Sequence, residues 1–409
     1  MAPSTQTTLK QPIWARNWPF FLIYTTYTLL LLPFKLSYYI LRYSLLPRTF
    51  RPLPTWTFQQ SISVAVIRLV FKYVGTVEIN PFRFSLKPGS EKERFVLIPP
   101  FETSEYGGAA KPTEDVFPQK IAGVWSPDVP PSTAKEATTT EKKEEKKKKG
   151  KRVFMHFHGG GYVMFDCRDL YFAFGARMLL EASKGKARVF AVRYRLCSEK
   201  GLKKGSTNKF PAALQDAVTA YMYLVKRLGI DPRDVVLSGD SAGGNLALAL
   251  FRYLEDQEGE RKLPLPGGVV LWSPWVDLSV PLEMFERMEN SKYDMILPES
   301  TGWGYRTFIP EDRGAEDAYI SPVKKAIRTK VPIWVNWGGR EVFGGAIREF
   351  VEGQQRVGLG KVGTYVIDDA PHDLLGCGEA MGWVKETRGA VEDAVRFLDD
   401  NVAANGEST

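Results

Sequence analysis

A Gly-Asp-Ser-Ala-Gly segment at residues 239–243 has the composition of a site for a serine nucleophile. It directly follows a β-type run at residues 235–237 and directly precedes a helical pattern, which is the order of a nucleophile elbow. Such a turn raises the hydroxyl of Ser241 to a sheet edge and a helix N-terminus, where developing negative charge is stabilised. An ordinary turn is the alternative, because Gly-x-Ser-x-Gly alone is a weak pattern. The order strand, turn, helix favours the elbow, with its tight turn formed by four small or polar neighbours: Gly239, Asp240, Ala242 and Gly243.

A second segment, about eighty residues upstream, is rich in glycine. Gly159, Gly160 and Gly161 follow His158 at the end of a β-type run over residues 153–157. Successive glycines let backbone N–H groups point into a cavity, as the oxyanion of an acyl-transfer reaction requires. A phosphate-binding loop is the alternative, but the glycine order does not fit a dinucleotide fingerprint and no Gly-Lys-Ser/Thr follows.

A serine nucleophile needs a general base, and the chain has only three histidines. His156 lies inside the strand before the glycines and His158 within their motif. His372 is left, on a loop after a β-type run at residues 362–367, and we predict it to be the base.

The acid that orients the base is predicted to be Glu341. It comes just after the β-type run at residues 331–337, which keeps the chain order nucleophile, acid, base. A surface ion pair with Arg340 or Arg348 is the structural alternative for Glu341. Three aspartates near the histidine are less well placed, being at the end of its own strand or adjacent to it: Asp368, Asp369 and Asp373.

The elements around these segments alternate between β-type runs and helical patterns, which indicates an α/β fold: a mostly parallel sheet with helices on both faces. The predicted strands are residues 95–99, 153–157, 189–194, 235–237, 268–272, 331–337 and 362–367. The predicted helices are residues 212–228, 243–253 and 390–401. We expect one catalytic domain over residues 91–403, with a disordered charged insert at 127–152 and a lid insertion at 278–317.

The N-terminal region has a different pattern. After a tail of residues 1–18, residues 19–34 form an apolar run without charges, long enough for a transmembrane anchor. A cleaved signal peptide is disfavoured because no small-x-small site follows, and a buried core helix is the remaining alternative. Residues 35–90 mix apolar with single basic residues, which is typical of amphipathic helices on a membrane surface or in a lid.

Composition excludes several classes of partner and cofactor. The net charge is +8, but residues 141–152 hold eight Lys/Arg against three Glu and so supply +5 of it. This run lacks interleaved aromatic residues, and we expect no nucleic-acid binding. Cys167, Cys197 and Cys377 fit neither a disulfide framework nor a zinc site. We expect no metal and no cofactor, and the sequence does not indicate an oligomeric state.

The sequence resembles the hormone-sensitive-lipase family of α/β hydrolases, which includes bacterial esterases, arylacetamide deacetylases and fungal steryl-acetate deacetylases. The likeness is carried by His-Gly-Gly-Gly-Tyr at 158–162, Tyr-Arg-Leu at 194–196 with Phe-Pro-Ala-Ala-Leu-Gln-Asp at 210–216, Gly-Asp-Ser-Ala-Gly-Gly-Asn-Leu at 239–246 and Ser-Pro-Trp-Val-Asp-Leu at 273–278. It implies a lid of N-terminal helices and a triad of Ser241, an acid and His372. It also implies oxyanion donors at Gly160, Gly161 and Ala242.

Two segments depart from the family pattern. Cys-Ser-Glu at 197–199 replaces the usual Ala-Pro-Glu, and Gly-Arg-Glu-Val-Phe-Gly at 339–344 replaces Asp-x-Leu-x-Asp at the acid. We expect a serine carboxylesterase for small apolar esters. Amide or acetyl-group hydrolysis on the same site, or a non-catalytic hydrolase-like receptor, are the alternatives.

The expected location is a membrane of the endoplasmic-reticulum type, crossed once. The basic residues after the apolar run weakly place the catalytic domain in the cytosol, and Asn-x-Ser/Thr sequons are absent. The family resemblance points instead to the lumen, so the side stays open.

Overall fold

The computed structural model describes residues 13–80, 85–130, 151–198, 207–259 and 262–402. Within these ranges, eight strands form one sheet in the order β1-β2-β4-β3-β5-β6-β7-β8. The strands are β1 Phe95–Ile98, β2 Ile121–Ser126, β3 Arg152–Phe157, β4 Ala187–Arg193, β5 Val235–Asp240, β6 Gly268–Trp272, β7 Ile333–Gly338 and β8 Val362–Ile367. β2 pairs antiparallel with β1 and β4, and all other pairs are parallel. The predicted mostly parallel sheet is confirmed.

The described residues also form ten α-helices. They are α1 Phe20–Leu45, α2 Phe58–Val77, α3 Asp169–Ala182, α4 Ala212–Met222, α5 Ala242–Asp256, α6 Leu282–Arg287, α7 Pro298–Phe308, α8 Gly344–Val357, α9 Leu374–Met381 and α10 Val384–Val402. α4, α5 and α8 cover one face of the sheet, while α3 and α10 cover the other. Successive side chains of a strand point to opposite faces of the sheet and so enter two separate hydrophobic cores. In β3, Met155 and Phe157 lie in the core under α4, α5 and α8, and Phe154 lies in the core under α3 and α10.

The carboxyl ends of the parallel strands lie at one edge of this sheet, as they must in a parallel array. β5 ends at Asp240, directly before Ser241, and β3 ends at Phe157, directly before the glycine segment. β7 leads towards Glu341, and β8 leads towards His372. The sheet therefore brings the four sequence segments to a single edge.

Most predicted element bounds differ from the observed ones by a few residues. β7 begins two residues late, after Pro332, because proline has no N–H for the strand ladder. The helix predicted over residues 212–228 ends as α4 at Met222 and continues as a wider turn, Tyr223–Arg227. β2 was not predicted, since its sequence IAGVWS is short and contains glycine and serine.

The N-terminal elements require two corrections. The predicted boundary between residues 34 and 35 lies inside α1, which runs through Pro33, because the apolar pattern continues on both sides of the proline. The alternative of a buried core helix is wrong, because the most apolar stretch of α1 has no buried residues. Of the predicted tail, residues 1–12 lie outside the described residues.

α2 belongs to the folded body of the protein. Thr57 and Gln60 form a capping box at its start, and the helix packs between α1 and α7. Just past its end, Glu78 forms ion pairs with Arg16 and with Arg306 of α7, both at 2.5 Å. These contacts join the segment before α1 to α7.

Two predicted insertions have different outcomes. Of the charged insert at 127–152, residues 131–150 lie outside the described residues, and its end is corrected because Arg152 already begins β3. The segment at 278–317 contains α6 and α7. Met295 and Thr301 from this segment line the cavity at Ser241, and the assignment of the segment as a lid stays a prediction.

Candidate active site

Ser241 lies in a strained turn between β5 and α5. Its backbone has φ 52° and ψ −117°, which a non-glycine residue adopts only under constraint. The constraint comes from close packing: a Cβ at Gly239 would lie 2.2 Å from the carbonyl oxygen of Gly243, and one at Gly243 would lie 1.9 Å from that of Phe157. The turn therefore has the geometry of a nucleophile elbow.

Asp240 connects the glycine segment to this turn by a hydrogen bond. The carboxylate of Asp240 accepts a hydrogen bond from the backbone N–H of Gly159 at 2.8 Å and is bonded to Nε2 of His156 at 2.9 Å. Gly160 and Gly161 then follow with φ +100° and +61°, a conformation that suits glycine. Asp240 thus fixes the distance between the nucleophile and the glycine loop.

His372 and Glu341 are hydrogen-bonded to each other. Nδ1 of the imidazole lies 3.0 Å from Oε2 of Glu341, and both side chains are at most 2% exposed. The hydroxyl of Ser273 accepts a hydrogen bond from the backbone N–H of Asp373 at 3.1 Å. Glu341 and the loop that carries His372 are therefore held as one unit.

One small cavity, of about 40 Å³, brings the sequence-predicted residues together. Ser241, His372, Gly160 and Gly161 all line it. Ala242, the remaining predicted oxyanion donor, begins α5 immediately after the serine. Among the described residues, Nε2 of His372 has no hydrogen-bond partner, so this nitrogen is available to a group in the cavity.

Burial controls the charge state of this pair. It lowers the pKa of His372 below 6.5, an effect partly opposed by the carboxylates of Asp294 and Asp373. It also raises the pKa of Glu341 well above its usual value, an effect that the nearby Ser273 hydroxyl opposes. The resting imidazole is therefore neutral near pH 7, as a general base must be.

A second group of titratable side chains lies beneath the elbow. Asp240 and Asp373 are hydrogen-bonded to each other, and burial raises their pKa values to about 6 and about 8. Burial also lowers the pKa of His156 to about 3, and its ring stacks on Phe172 at 3.7 Å. Near neutral pH the two carboxyl groups therefore share one proton, and His156 is uncharged.

The other candidates for the base and the acid have structural partners elsewhere. His158 bonds to the Gly159 carbonyl oxygen at 2.8 Å and stacks on Tyr194 at 4.4 Å, and burial lowers its pKa to about 4. Asp369 forms an ion pair with Arg340 at 3.2 Å. Arg340 is the residue that would have paired with Glu341 if Glu341 formed a surface ion pair. Asp368 is exposed and Arg348 is exposed on α8.

Asp294 is a site residue that the sequence did not indicate. Its buried carboxylate accepts the backbone N–H of Val342 at 2.7 Å and that of His372 at 3.0 Å. Burial raises its pKa to about 6. A single aspartate in an irregular segment carries no motif, so only the fold reveals that it joins the loops of Glu341 and His372.

The described residues contain no group of three or more His, Cys, Asp or Glu side chains that could hold a metal ion. Cys167 and Cys197 are buried, Cys377 is partly buried, and all three are free thiols. The expectation that the reaction needs no metal or cofactor stays a prediction.

An elbow serine, a glycine loop and a buried His-Glu pair at the carboxyl edge of this sheet define an α/β hydrolase. A family model described as alpha/beta hydrolase fold matches residues 154–375, which is more than half of the chain. The protein therefore belongs to this family, and the predicted hormone-sensitive-lipase-like membership is confirmed.

Three known proteins show the range of the similarity. An esterase of Acinetobacter venetianus is 27% identical over 56% of this chain and 65% of its own length. Probable carboxylesterase 6 of Arabidopsis thaliana is 27% identical over 58% of this chain and 66% of its own length. The crystal structure of a hormone-sensitive lipase from a metagenome library is 25% identical, with a TM-score of 0.50 over 62% of this chain and 79% of that one. The chain thus spans slightly less than two thirds of the two curated relatives.

Proposed function

We propose that the protein is a serine carboxylesterase that cleaves apolar esters through an acyl-enzyme. The observation that carries the proposal is the common cavity of Ser241, His372 and the glycine loop, with Glu341 bonded to the far nitrogen of the imidazole. The names of the relatives, esterase and carboxylesterase, support the same reaction class.

The proposed reaction has two halves. Oγ of Ser241 attacks the ester carbonyl carbon while Nε2 of His372 takes the hydroxyl proton, and Glu341 stabilises the imidazolium. Backbone N–H groups of Gly160, Gly161 and Ala242 stabilise the oxyanion. The intermediate expels the alcohol, which receives the proton from His372. Water then attacks the acyl-enzyme with His372 again as base, which releases the acid and restores Ser241.

The test is labelling of the purified protein with a fluorophosphonate, together with turnover of p-nitrophenyl esters. The wild type should be labelled and should hydrolyse short and medium acyl chains, and it should act poorly on acetates of polar sugars and on matched amides. Ser241→Ala should abolish both signals because the elbow holds no other nucleophile. Ser183→Ala, just past the end of α3, serves as a control because its hydroxyl bonds only to the carbonyl oxygen of Leu179 in the same helix. Wild-type activity in Ser241→Ala would refute the mechanism.

We further propose that α1 anchors the protein in a membrane of the endoplasmic-reticulum type. Its 26 residues span about 39 Å at about 1.5 Å each, more than the roughly 30 Å hydrocarbon core of a bilayer. Leu30 and Phe34 are 66% and 73% exposed. α2 also meets the length and hydropathy criteria, but 39% of its apolar stretch is buried.

Carbonate washing of membranes tests the anchor. The wild type should stay in the pellet, and Leu30→Glu should shift protein to the supernatant, since a charge at mid-membrane costs roughly 2.5–3.5 kcal/mol on insertion scales. Leu170→Glu is the matched control, because Leu170 is also largely exposed but lies on α3 of the catalytic domain. Release of the wild type would disprove the anchor, and protease protection of intact vesicles would identify the side of the catalytic domain.

A further inference from the structure

The helices α1 and α2 lie side by side and run in opposite directions. The hydroxyl of Thr25, near the start of α1, is bonded to that of Tyr73, near the end of α2, at 2.9 Å. The ring of Tyr24 stacks on that of Tyr73 at 6.1 Å. Just before α1, Arg16 forms its ion pair with Glu78, which follows the last residue of α2. The start of α1 is therefore held against the end of α2.

The other end of α1 is also attached to the folded body. The carbonyl oxygen of Tyr43, which is buried, accepts a hydrogen bond from Nε of Arg51 at 3.3 Å. Arg51 also donates to the carbonyl oxygen of Trp56 at 2.8 Å. The indole N–H of Trp56 in turn donates to the carbonyl oxygen of Asp369, next to the loop of His372, at 2.7 Å. Both ends of α1 are thus tied to the domain that carries the active site.

Between these ends, α1 has one face on the protein and one face in the solvent. Partly or fully buried side chains recur every three or four residues along the helix, at Thr25, Thr28, Leu32, Leu36, Tyr39 and Tyr43. The opposite face is apolar, and six of its side chains are each more than half exposed: Leu22, Tyr27, Leu30, Phe34, Leu41 and Leu45. This exposed face continues beyond Lys35, so it is longer than the run without charges.

The contacts of α1 disfavour a crossing of the bilayer. Because α2 lies alongside α1, a crossing would place α2 at the same depth in the hydrocarbon. α2 carries Arg68 and Lys72, and Nζ of Lys72 lies 3.6 Å from a carboxylate oxygen of Glu299 on α7. Charged side chains in the hydrocarbon core are costly. The outer face of α1, in contrast, can enter lipid without moving any of these groups.

We propose that α1 lies in the plane of one leaflet, with its outer face in the lipid and its inner face on α2, and does not cross the bilayer. This inference rests on the proposed membrane anchor. Such a helix inserts roughly 5–10 Å, to the boundary of headgroups and acyl chains. Residues 13–77 contain seven Lys/Arg and no Asp or Glu, which favours a leaflet with anionic headgroups. The segment before α1 and the catalytic domain then lie on the same side of the membrane.

The first experiment determines the side on which each end of the chain lies. One epitope tag is placed before residue 1 and another after residue 409 of the full chain, and protease is added to intact microsomes and again after detergent. In intact vesicles both tags should be digested or both should be protected, because in-plane insertion leaves both ends on one side. A helix that crosses the bilayer would protect only one of them.

The second experiment measures where along α1 a charge weakens membrane binding. A spanning helix that enters the core at Phe20 would use about 20 residues to cross roughly 30 Å, so Leu41 would lie outside the core. In the plane of a leaflet, Leu41 and Leu30 have the same depth. Leu41→Glu should therefore weaken partitioning into vesicles of phosphatidylcholine and phosphatidylserine as much as Leu30→Glu, by about tenfold, which is the effect of losing one buried leucine.

The readout is the fraction of protein that floats with these vesicles after removal of detergent, and circular dichroism verifies folding. Leu359→Glu is the matched control, because Leu359 is also exposed but precedes β8 at the edge of the sheet opposite the active site. It should float like the wild type. Vesicles of phosphatidylcholine alone should bind the wild type more weakly than those with phosphatidylserine.

Three results would overturn in-plane insertion. One is opposite protection of the two tags, and another is normal flotation of Leu41→Glu beside impaired flotation of Leu30→Glu. The third is a change of oligomeric state in these variants without a change in flotation, which would assign the outer face to a second copy of the chain. Release of the wild type by carbonate would instead refute the anchor, and the fluorophosphonate label tests the esterase function separately.

Discussion

The carboxylate of Asp294 accepts the backbone N–H of His372 at 3.0 Å, although 78 residues separate them in the chain. The same carboxylate accepts the N–H of Val342, the residue after the acid. Arg68 of α2 in turn donates to the carbonyl oxygens of Asp294 and Ser291. The loops of the acid and the base are thus positioned by one buried side chain that is itself held by an N-terminal helix.

Asp294→Ala should therefore lower kcat by about 10², since an ångström-scale displacement of a catalytic group has an effect of this size. KM should change little because Asp294 lies outside the cavity lining. Asp294→Asn keeps one acceptor oxygen and should recover part of the loss. Steady-state kinetics check this, with circular dichroism to verify folding. A wild-type kcat in a folded Asp294→Ala protein would show that Asp294 does not position His372 and Glu341 for the reaction.

Glu341→Gln should lower kcat by about 10⁴ with the fold intact, because the amide can neither fix the imidazole tautomer nor stabilise its charged form. The substitutions Asp368→Asn, Asp369→Asn and Asp373→Asn should cost far less, since none of these carboxyl groups bonds to the ring of His372 in the structure. The comparison is of kcat on one p-nitrophenyl ester. An active Glu341→Gln beside an inactive aspartate variant would reassign the acid.

The activity should persist at mildly acidic pH. The base works only when neutral, and burial lowers the pKa of His372 below 6.5, so the neutral form still dominates at pH 6.5. A profile of kcat/KM against pH should reach half of its maximum only below that value. A midpoint at or above 6.5 would show that the neighbouring carboxylates outweigh burial.

Asp373→Asn should change how stability depends on pH. Burial and the Asp240 carboxylate raise the folded-state pKa of Asp373 from 3.8 to about 8. Between these values the folded state binds a proton that the unfolded state does not, so wild-type stability falls as pH rises through this window. Asparagine lacks this titration. The Tm of the variant relative to wild type should increase from pH 4 to pH 8, and a constant difference would exclude the shared proton.

Much of the fold was predictable because its signals are local. The runs that became β3, β5, β6, β7 and β8 are β-rich, and each is followed by turn or glycine residues at the carboxyl edge. Parallel pairing then requires Ser241, Glu341 and His372 to meet at one edge, which is how the sequence alone led to these three residues. The scarcity of histidines made the assignment of His372 simpler still.

The rest could not be derived because it depends on tertiary contacts. Asp294 has no distinguishing neighbours in sequence, and its partners come from two other loops. The pairing of Asp240 with Asp373 joins the elbow to the loop of the base across the sheet edge. The continuation of α1 past residue 34 could not be derived because the run without charges ends at Lys35, whereas the helix continues to Leu45.

The ion pairs of Glu78 bear on how a detergent-free form of the protein should be made. Deleting the N-terminal residues through α1 would remove Arg16 and with it one of the two ion pairs of the nearly buried Glu78, and loss of a partner of a buried charge is destabilising. It would also uncover Tyr73, whose hydroxyl bonds to Thr25 of α1 at 2.9 Å. Replacing the outward leucines of α1, Leu22, Leu29 and Leu30, with polar residues is therefore the better route to solubility than truncation.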